Sequence, residues 1–246
     1  MTYGFTKSCR RPREKRGSRA TAEALPLLDS RFRGNDENRW QLPETLGEMS
    51  EKSFVQHWAR EGFAYREAGS GETVVAIVGD SGPPTRAHEL LAERRRVMVF
   101  AMTADAGTPQ EAARRLGAAV TALGLDRFDL MGEGAGAATA MWLALAPEVD
   151  IGSVVLAAPA SVLGGLPDEA FREMRRPVLV LSGTKDQSAT GDRWRTLLPD
   201  CHFMLVYDAG PAIGAERPEA LAFIAHEFFE RRDLFLVSRE NGLVFP

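Results

Sequence analysis

The sequence predicts an α/β fold in which a doubly wound, mostly parallel sheet carries helices on both faces. Several short apolar segments lack the alternation of a half-exposed sheet, and segments of helical character separate them. The clearest unit is 128–146, where an apolar strand runs through the turn G-E-G-A-G into an apolar helix. Gly132 and Gly136 flank this turn, and their missing Cβ atoms allow two backbones to pass closely.

Length and composition limit the protein to one α/β domain with an appendage, or at most two domains. Its 246 residues are 44% apolar, which is sufficient for a core. The net charge of −4 argues against a nucleic-acid-binding protein. The two cysteines lie in different contexts, which favours a reduced, cytoplasmic setting. We expect no membrane span, metal or cofactor, because no long apolar run or metal-ligand spacing occurs.

Residues 1–48 differ from the rest of the chain. The first 19 residues contain seven Lys and Arg residues and one acidic residue, Glu14, and they show no sustained apolar periodicity. We interpret this segment as a disordered extension rather than a nucleic-acid-binding arm, because no aromatic residues are interleaved with the charges at 7–19. The run L-D-S-R-F-R-G-N-D-E at 28–37 resembles translated bacterial intergenic repeats. We therefore predict that translation starts at Met49 and that the functional domain spans 49–246, with a tail from about 233.

The elements that follow are predicted from apolar runs, glycine breaks and capping residues. Strands are predicted at 63–67, 73–78, 96–102, from 128, 151–157, 177–181 and 202–207. Helices are predicted at 51–60, 88–94, 109–123, 137–146, 167–174, 188–197 and 217–231. Thr108 and Glu111 have the spacing of a capping box. The break at 69–71 predicts a hairpin between the first two strands, and hence one antiparallel edge.

Four motifs together resemble those of the α/β-hydrolase family over roughly 63–231. They are G-E-G-A-G at 132–136, V-G-D-S-G at 78–82, L-S-G-T-K-D at 181–186 and D-A-G-P-A-I-G-A-E-R-P-E at 208–219. In that family the first is the nucleophile elbow and the second a loop whose N–H helps to form the oxyanion hole. The third resembles the loop that carries the triad acid, and the fourth the segment that carries the triad histidine.

The resemblance implies that only one member of the catalytic triad is present. It places Gly134 at the nucleophile position, Asp186 at the acid position and Pro211 at the histidine position. Glycine has no attacking atom and proline no titratable group, so the usual acyl-enzyme route is missing its parts. Asp80 and Ala135 take the oxyanion-loop positions, and the Asp80 carboxylate would repel developing negative charge there. The resemblance therefore implies a catalytically degenerate member.

Two other functions stay open from the residues alone. Ser81 is a hydroxyl in the expected mouth of the site, and with His88 or Asp186 it could serve a hydrolase of small esters that uses a non-standard catalytic set. Gly132, Gly134 and Ala137 also satisfy G-x-G-x-x-A, which is typical of dinucleotide-binding oxidoreductases. The acid expected about 20 residues further on is absent, because the next strand ends in Leu-Ala-Ala-Pro.

The remaining expectations concern the surroundings of the site and its partners. Residues 160–176 leave no room for a full cap, so the pocket should be open. Glu133, beside the elbow, is interpreted as a solvated carboxylate near a helix N-terminus. A degenerate scaffold would bind a small apolar ligand or a protein partner. The apolar tail at 234–246 is expected to pack on the sheet edge or to form a homo-oligomer.

Overall fold

One eight-stranded sheet runs through the described part of the chain. The structure, a computed structural model, describes residues 53–59, 62–79, 83–102, 106–160, 165–187, 191–198 and 201–235. The strands are β1 Val55–Trp58, β2 Ala64–Ala68, β3 Thr73–Val78, β4 Arg96–Ala101, β5 Arg127–Glu133, β6 Asp150–Ala157, β7 Val178–Gly183 and β8 Cys201–Val206. The helices are α1 Arg86–Ala92, α2 Pro109–Ala122, α3 Gly136–Ala144, α4 Asp168–Arg172, α5 Gly191–Leu197, α6 Ile213–Glu216 and α7 Pro218–Arg231, followed by a 3₁₀ turn at Arg232–Leu234.

The strand order is β1-β2-β4-β3-β5-β6-β7-β8, and every pair from β4 to β8 is parallel. The antiparallel edge is confirmed, because β2 runs against both β1 and β4. The predicted hairpin between β2 and β3 is wrong, since β3 lies between β4 and β5. Gly69 explains the difference: a Cβ there would lie 2.0 Å from the Arg95 carbonyl oxygen, so this turn packs under the end of α1 instead of closing a hairpin.

The predicted helix at 51–60 is also wrong, because Val55–Trp58 forms the edge strand β1. Its four residues pair antiparallel with β2, and the His57 ring stacks on Tyr65 with 5.2 Å between ring centroids. Valine and tryptophan favour the extended conformation of a strand. The short segment alone could form a helix or a strand, and pairing with β2 stabilises the strand.

The other predicted helices and strands are confirmed to within a few residues. At the start of α2, the Glu111 carboxylate accepts a hydrogen bond from the Thr108 N–H at 2.9 Å. The Thr108 hydroxyl oxygen in turn accepts one from the Glu111 N–H at 3.3 Å. This capping box fixes the first turn of the helix, as the sequence predicts.

Two hydrophobic cores lie on opposite faces of the sheet, which confirms the doubly wound architecture. Because side chains alternate along a strand, Leu130 of β5 packs into one core and Met131 into the other. The first core includes residues of α2 and α3, and the second includes residues of α1 and α7. Between β6 and β7 the described residues contain one helix, the five-residue α4. None of the described helices is long and apolar enough to cross a membrane.

Some sequence predictions lie outside the described residues. They are the disordered extension at 1–48, the start at Met49 and the behaviour of the tail from 236 onwards. The boundary at about 233 falls on the 3₁₀ turn that follows α7.

A buried arginine forms ion pairs with both the sheet and α7 near the amino-terminal ends of the strands. Arg95 is 1% exposed, and its guanidinium lies 3.3 Å from Asp129 Oδ2 and 2.6 Å from Glu230 Oε1. Burial raises the pKa of the Asp129 carboxyl, while a hydrogen bond from Ser153 and the charges of the neighbouring arginines oppose that rise. The guanidinium also stacks over the Phe229 ring, 5.4 Å from its centroid.

We expect Arg95→Met to lower the free energy of unfolding by about 3 kcal/mol, because it removes the nearer cation of the buried Asp129 carboxylate and leaves Arg232 at 3.8 Å. Urea denaturation measures the loss. Arg96→Met is the matched control: Arg96 and its partner Glu67 are both partly exposed, so its loss should cost about 1 kcal/mol or less. Adding Asp129→Asn to Arg95→Met should recover part of the loss, and equal effects of the two arginine variants would contradict the assigned role.

Candidate functional site

A pocket of about 390 Å³ lies at the carboxyl ends of the central parallel strands. Val78, Glu133 and Ala157 are the last residues of β3, β5 and β6, and all three line the pocket. The register places Val78 beside Glu133 and Glu133 beside Ala157, so the three strand ends form one continuous floor. Open parallel sheets bind ligands outside the carboxyl ends of their strands.

Gly134 forms the corner between β5 and α3, at the bottom of this pocket. Its φ of +53° lies in the left-handed region, which favours glycine. Its N–H donates a hydrogen bond to the Ala157 carbonyl oxygen at 2.9 Å. A Cβ built at Gly134 would meet no atom within 4 Å, so the missing side chain leaves open space.

The other glycines of the corner are required by close packing. A Cβ at Gly136 would lie 2.2 Å from the Ile77 carbonyl oxygen, and one at Gly132 would lie 2.7 Å from the Ala140 Cβ. A Cβ at Gly79 would lie 2.5 Å from the Ala135 Cβ. Close packing between β3, β5 and α3 therefore explains these glycines, and dinucleotide binding is not needed to explain them.

Pro211 lines the same pocket as Gly134. The loop that carries it is fixed by Glu216, whose carboxylate accepts a hydrogen bond from the Gly210 N–H at 2.8 Å. The two residues that the family resemblance places at the nucleophile and histidine positions thus border one cavity. Neither provides a group that could attack a substrate or accept a proton.

The other predicted site residues are placed differently. Ala135 lines the pocket directly before the first residue of α3. Asp186 follows β7, is partly buried and does not line the pocket. Its N–H donates a hydrogen bond to the Gly183 carbonyl oxygen at 3.1 Å. Asp80 and Ser81 lie outside the described residues.

Behind the pocket wall, Glu133 contacts a buried side chain with which the sequence analysis did not pair it. His88 of α1 is fully buried, and its Nε2 lies 2.7 Å from Glu133 Oε1. The Glu133 side chain is only 15% exposed, so its interpretation as a solvated carboxylate is wrong. The contact is not aligned as a hydrogen bond, and neither atom has another hydrogen-bond partner in the described structure.

Thr85 determines which nitrogen of His88 carries the proton. The Thr85 N–H donates a hydrogen bond to His88 Nδ1 at 2.9 Å, and the Thr85 hydroxyl oxygen also lies 2.9 Å from that atom. A nitrogen that accepts an N–H uses its lone pair, so the network assigns the imidazole proton to Nε2, facing Glu133. The spacing of Thr85 and His88, the first residue before α1 and the third within it, was the only local signal of this arrangement.

The site offers few groups that could hold a cofactor. Among the described residues, no group of three or more His, Cys, Asp or Glu side chains is placed to bind a metal ion. The described lining is mostly apolar or small, with Glu133 and Thr85 as its polar side chains. Such a cavity has the size and character of a small-molecule site.

Comparisons with known proteins identify the fold. No family model matches the sequence, and no curated protein matches it. A serine hydrolase involved in carbazole degradation is 17% identical, with a TM-score of 0.66 over 73% of this chain and 100% of that chain. An α/β hydrolase enzyme from a sediment metagenome of the lagoon of Mar Chica, Morocco, is 17% identical, with a TM-score of 0.63 over 74% of this chain and 99% of that chain. Naproxen esterase from Bacillus subtilis is 13% identical, with a TM-score of 0.61 over 72% of this chain and 91% of that chain. The protein has the α/β-hydrolase fold, as predicted.

We expect Gly134→Ala to lower the free energy of unfolding by about 1–2 kcal/mol, because alanine is strained at this positive φ but has room for its methyl group. Gly136→Ala should cost about 3 kcal/mol or more, since its Cβ would overlap the Ile77 carbonyl. Urea denaturation of both variants measures the difference. Equal costs would contradict the open space at Gly134.

Proposed function

We propose that this protein uses the α/β-hydrolase fold as a binding scaffold and is catalytically degenerate. Its ligand is a small, mainly apolar molecule that occupies the pocket at the elbow. One observation carries the proposal: Gly134 and Pro211 border the same cavity, and a side chain at Gly134 would project into open space. Neither residue provides the nucleophile or the base that a serine hydrolase needs, and Gly134 leaves open space in the cavity.

The composition of the pocket supports a small molecule as the ligand. Val78, Ala157 and Ile213 provide apolar wall, and the cavity of about 390 Å³ is within the range of small-molecule sites. Burial of a ligand's apolar surface contributes about 25 cal/mol per Å² before the costs of association. A concave site of this kind suits a compact molecule better than the flat surface of a protein partner.

A second candidate, an ester hydrolase with a non-standard catalytic set, is favoured by the contacts of Thr85. Its hydroxyl oxygen, the His88 ring and the Glu133 carboxylate form a chain of contacts of 2.9 and 2.7 Å. In this scheme the Thr85 oxygen attacks an ester carbonyl and its proton passes to Nδ1, which then protonates the alcohol as its bond to the acyl carbon breaks. Water next attacks the acyl-Thr85 ester, giving its proton to Nδ1, and that proton returns to the Thr85 oxygen as the acid is released. The Thr85 N–H competes for the same Nδ1 lone pair, and therefore we place this candidate second.

The binding proposal is tested with 1-ethyl-4-fluorobenzene, a probe small enough for the pocket, whose binding is followed by fluorine NMR. We expect Ala212→Phe, which adds a ring at the pocket wall, to weaken binding about five-fold or more, because the ring occupies ligand volume. Ala118→Phe, at an exposed position of α2, is the matched control and should leave binding unchanged. Equal binding to both variants would contradict the proposed pocket.

The catalytic question is tested with a fluorophosphonate probe and p-nitrophenyl butyrate. A degenerate protein should show no stoichiometric labelling and no ester turnover above that of denatured protein, because the elbow lacks a nucleophile. Intact-mass analysis and absorbance measure the two. Labelling or turnover that disappears in Thr85→Val would overturn degeneracy and support the second candidate. Loss in Ser81→Ala instead would identify Ser81 as the nucleophile.

A further inference from the structure

Glu133 gives the pocket a negative charge that its described surroundings do not neutralise. No lysine or arginine occurs among the described residues that line the pocket. Glu133 is the last residue of β5, and its side chain lines the pocket. An ionised group in an otherwise apolar cavity strongly favours a ligand of opposite charge, because water screens the interaction poorly there.

His88 contacts this carboxylate without supplying a cation. Because Nδ1 accepts the Thr85 N–H, the imidazole is the neutral tautomer with its proton on Nε2. Nε2 of the fully buried ring lies 2.7 Å from Glu133 Oε1, in a contact that is not aligned as a hydrogen bond. One oxygen of Glu133 is thus directed at the protein interior.

The second oxygen of Glu133 lies beside a glycine, Gly214. A Cβ at Gly214 would lie 2.7 Å from Glu133 Oε2 and 3.3 Å from Thr85 Oγ1. Any side chain at this position would press on the carboxylate and shield it from the cavity. Gly214 lines the pocket and its φ lies outside the left-handed region, so packing around Glu133 is the constraint that the structure shows there.

We propose that the pocket selects small organic amines, whose protonated nitrogen binds Glu133 Oε2 while the hydrocarbon part contacts the apolar wall. An ammonium group has three N–H donors. Glu133 Oε2 can accept one of them and the nearby Thr85 hydroxyl oxygen can accept another. The inference rests on the proposed function, since it names the ligand class of the same pocket. It requires no chemical step.

The test compares three probes of nearly equal shape by fluorine NMR: 4-fluorophenethylamine, 2-(4-fluorophenyl)ethanol and 1-ethyl-4-fluorobenzene. The natural protein should bind the amine roughly 10- to 100-fold more tightly than the ethyl compound, the range expected of a charge-assisted hydrogen bond. Glu133→Gln should reduce this ratio to about three-fold or less, because the neutral amide removes the charge from the hydrogen bond to the ammonium group. The glutamine amide has nearly the size and shape of the carboxylate, so the packing against His88 should be kept.

Two further variants separate recognition from other effects of charge. Gly214→Ala retains the carboxylate but covers Oε2, so it should weaken the amine more than the ethyl compound. Glu173→Gln removes an exposed carboxylate after α4 and should change neither. Equal binding of all three probes to the natural protein would overturn the amine inference and leave the proposed pocket intact. Binding of none of them would overturn both.

Discussion

The contact of α3 with β3 at Gly136 is the constraint on which the site depends. A Cβ at Gly136 would lie 2.2 Å from the Ile77 carbonyl oxygen, so only glycine permits the helix to start this close to the strand. The corner at Gly134 must then turn sharply, which accounts for its left-handed φ of +53°. The same turn brings Glu133, the last residue of β5, to the floor of the pocket. Fold and site therefore share one packing requirement.

Much of the fold could be predicted because local signals and global architecture agree. The continuous apolar character of β3 to β7 indicates a buried parallel sheet, and the capping box at Thr108 marks the start of α2. The predictions that were wrong depend on pairing partners that are distant in the sequence. β1 is a strand because β2 lies beside it, and β2 pairs with β4 rather than β3 because the turn at Gly69 packs against α1.

The candidate site was predicted only in part, for the same reason. Gly134 and Pro211 could be named from motifs, each of which is local in the sequence. The contact of His88 with Glu133 joins a helix residue outside the four motifs to a residue of the elbow, and it depends on the register that pairs Val78 with Glu133. A one-residue shift of that register would turn Glu133 to the other face of the sheet. No pattern in the sequence fixes register to that accuracy, so the pair is visible only in three dimensions.

Glycine at position 134 affects both the backbone strain of this corner and the groups that it offers for a reaction. A non-glycine residue with this φ carries strain of about 1–3 kcal/mol, which enzymes retain where the side chain performs a reaction. Glycine avoids that strain and provides no reactive side-chain atom, and a Cβ here would meet open space. The placement of Glu133 argues that the cavity is a binding site rather than a packing defect. A buried carboxylate lowers the free energy of unfolding unless a partner such as His88 or a ligand contacts it.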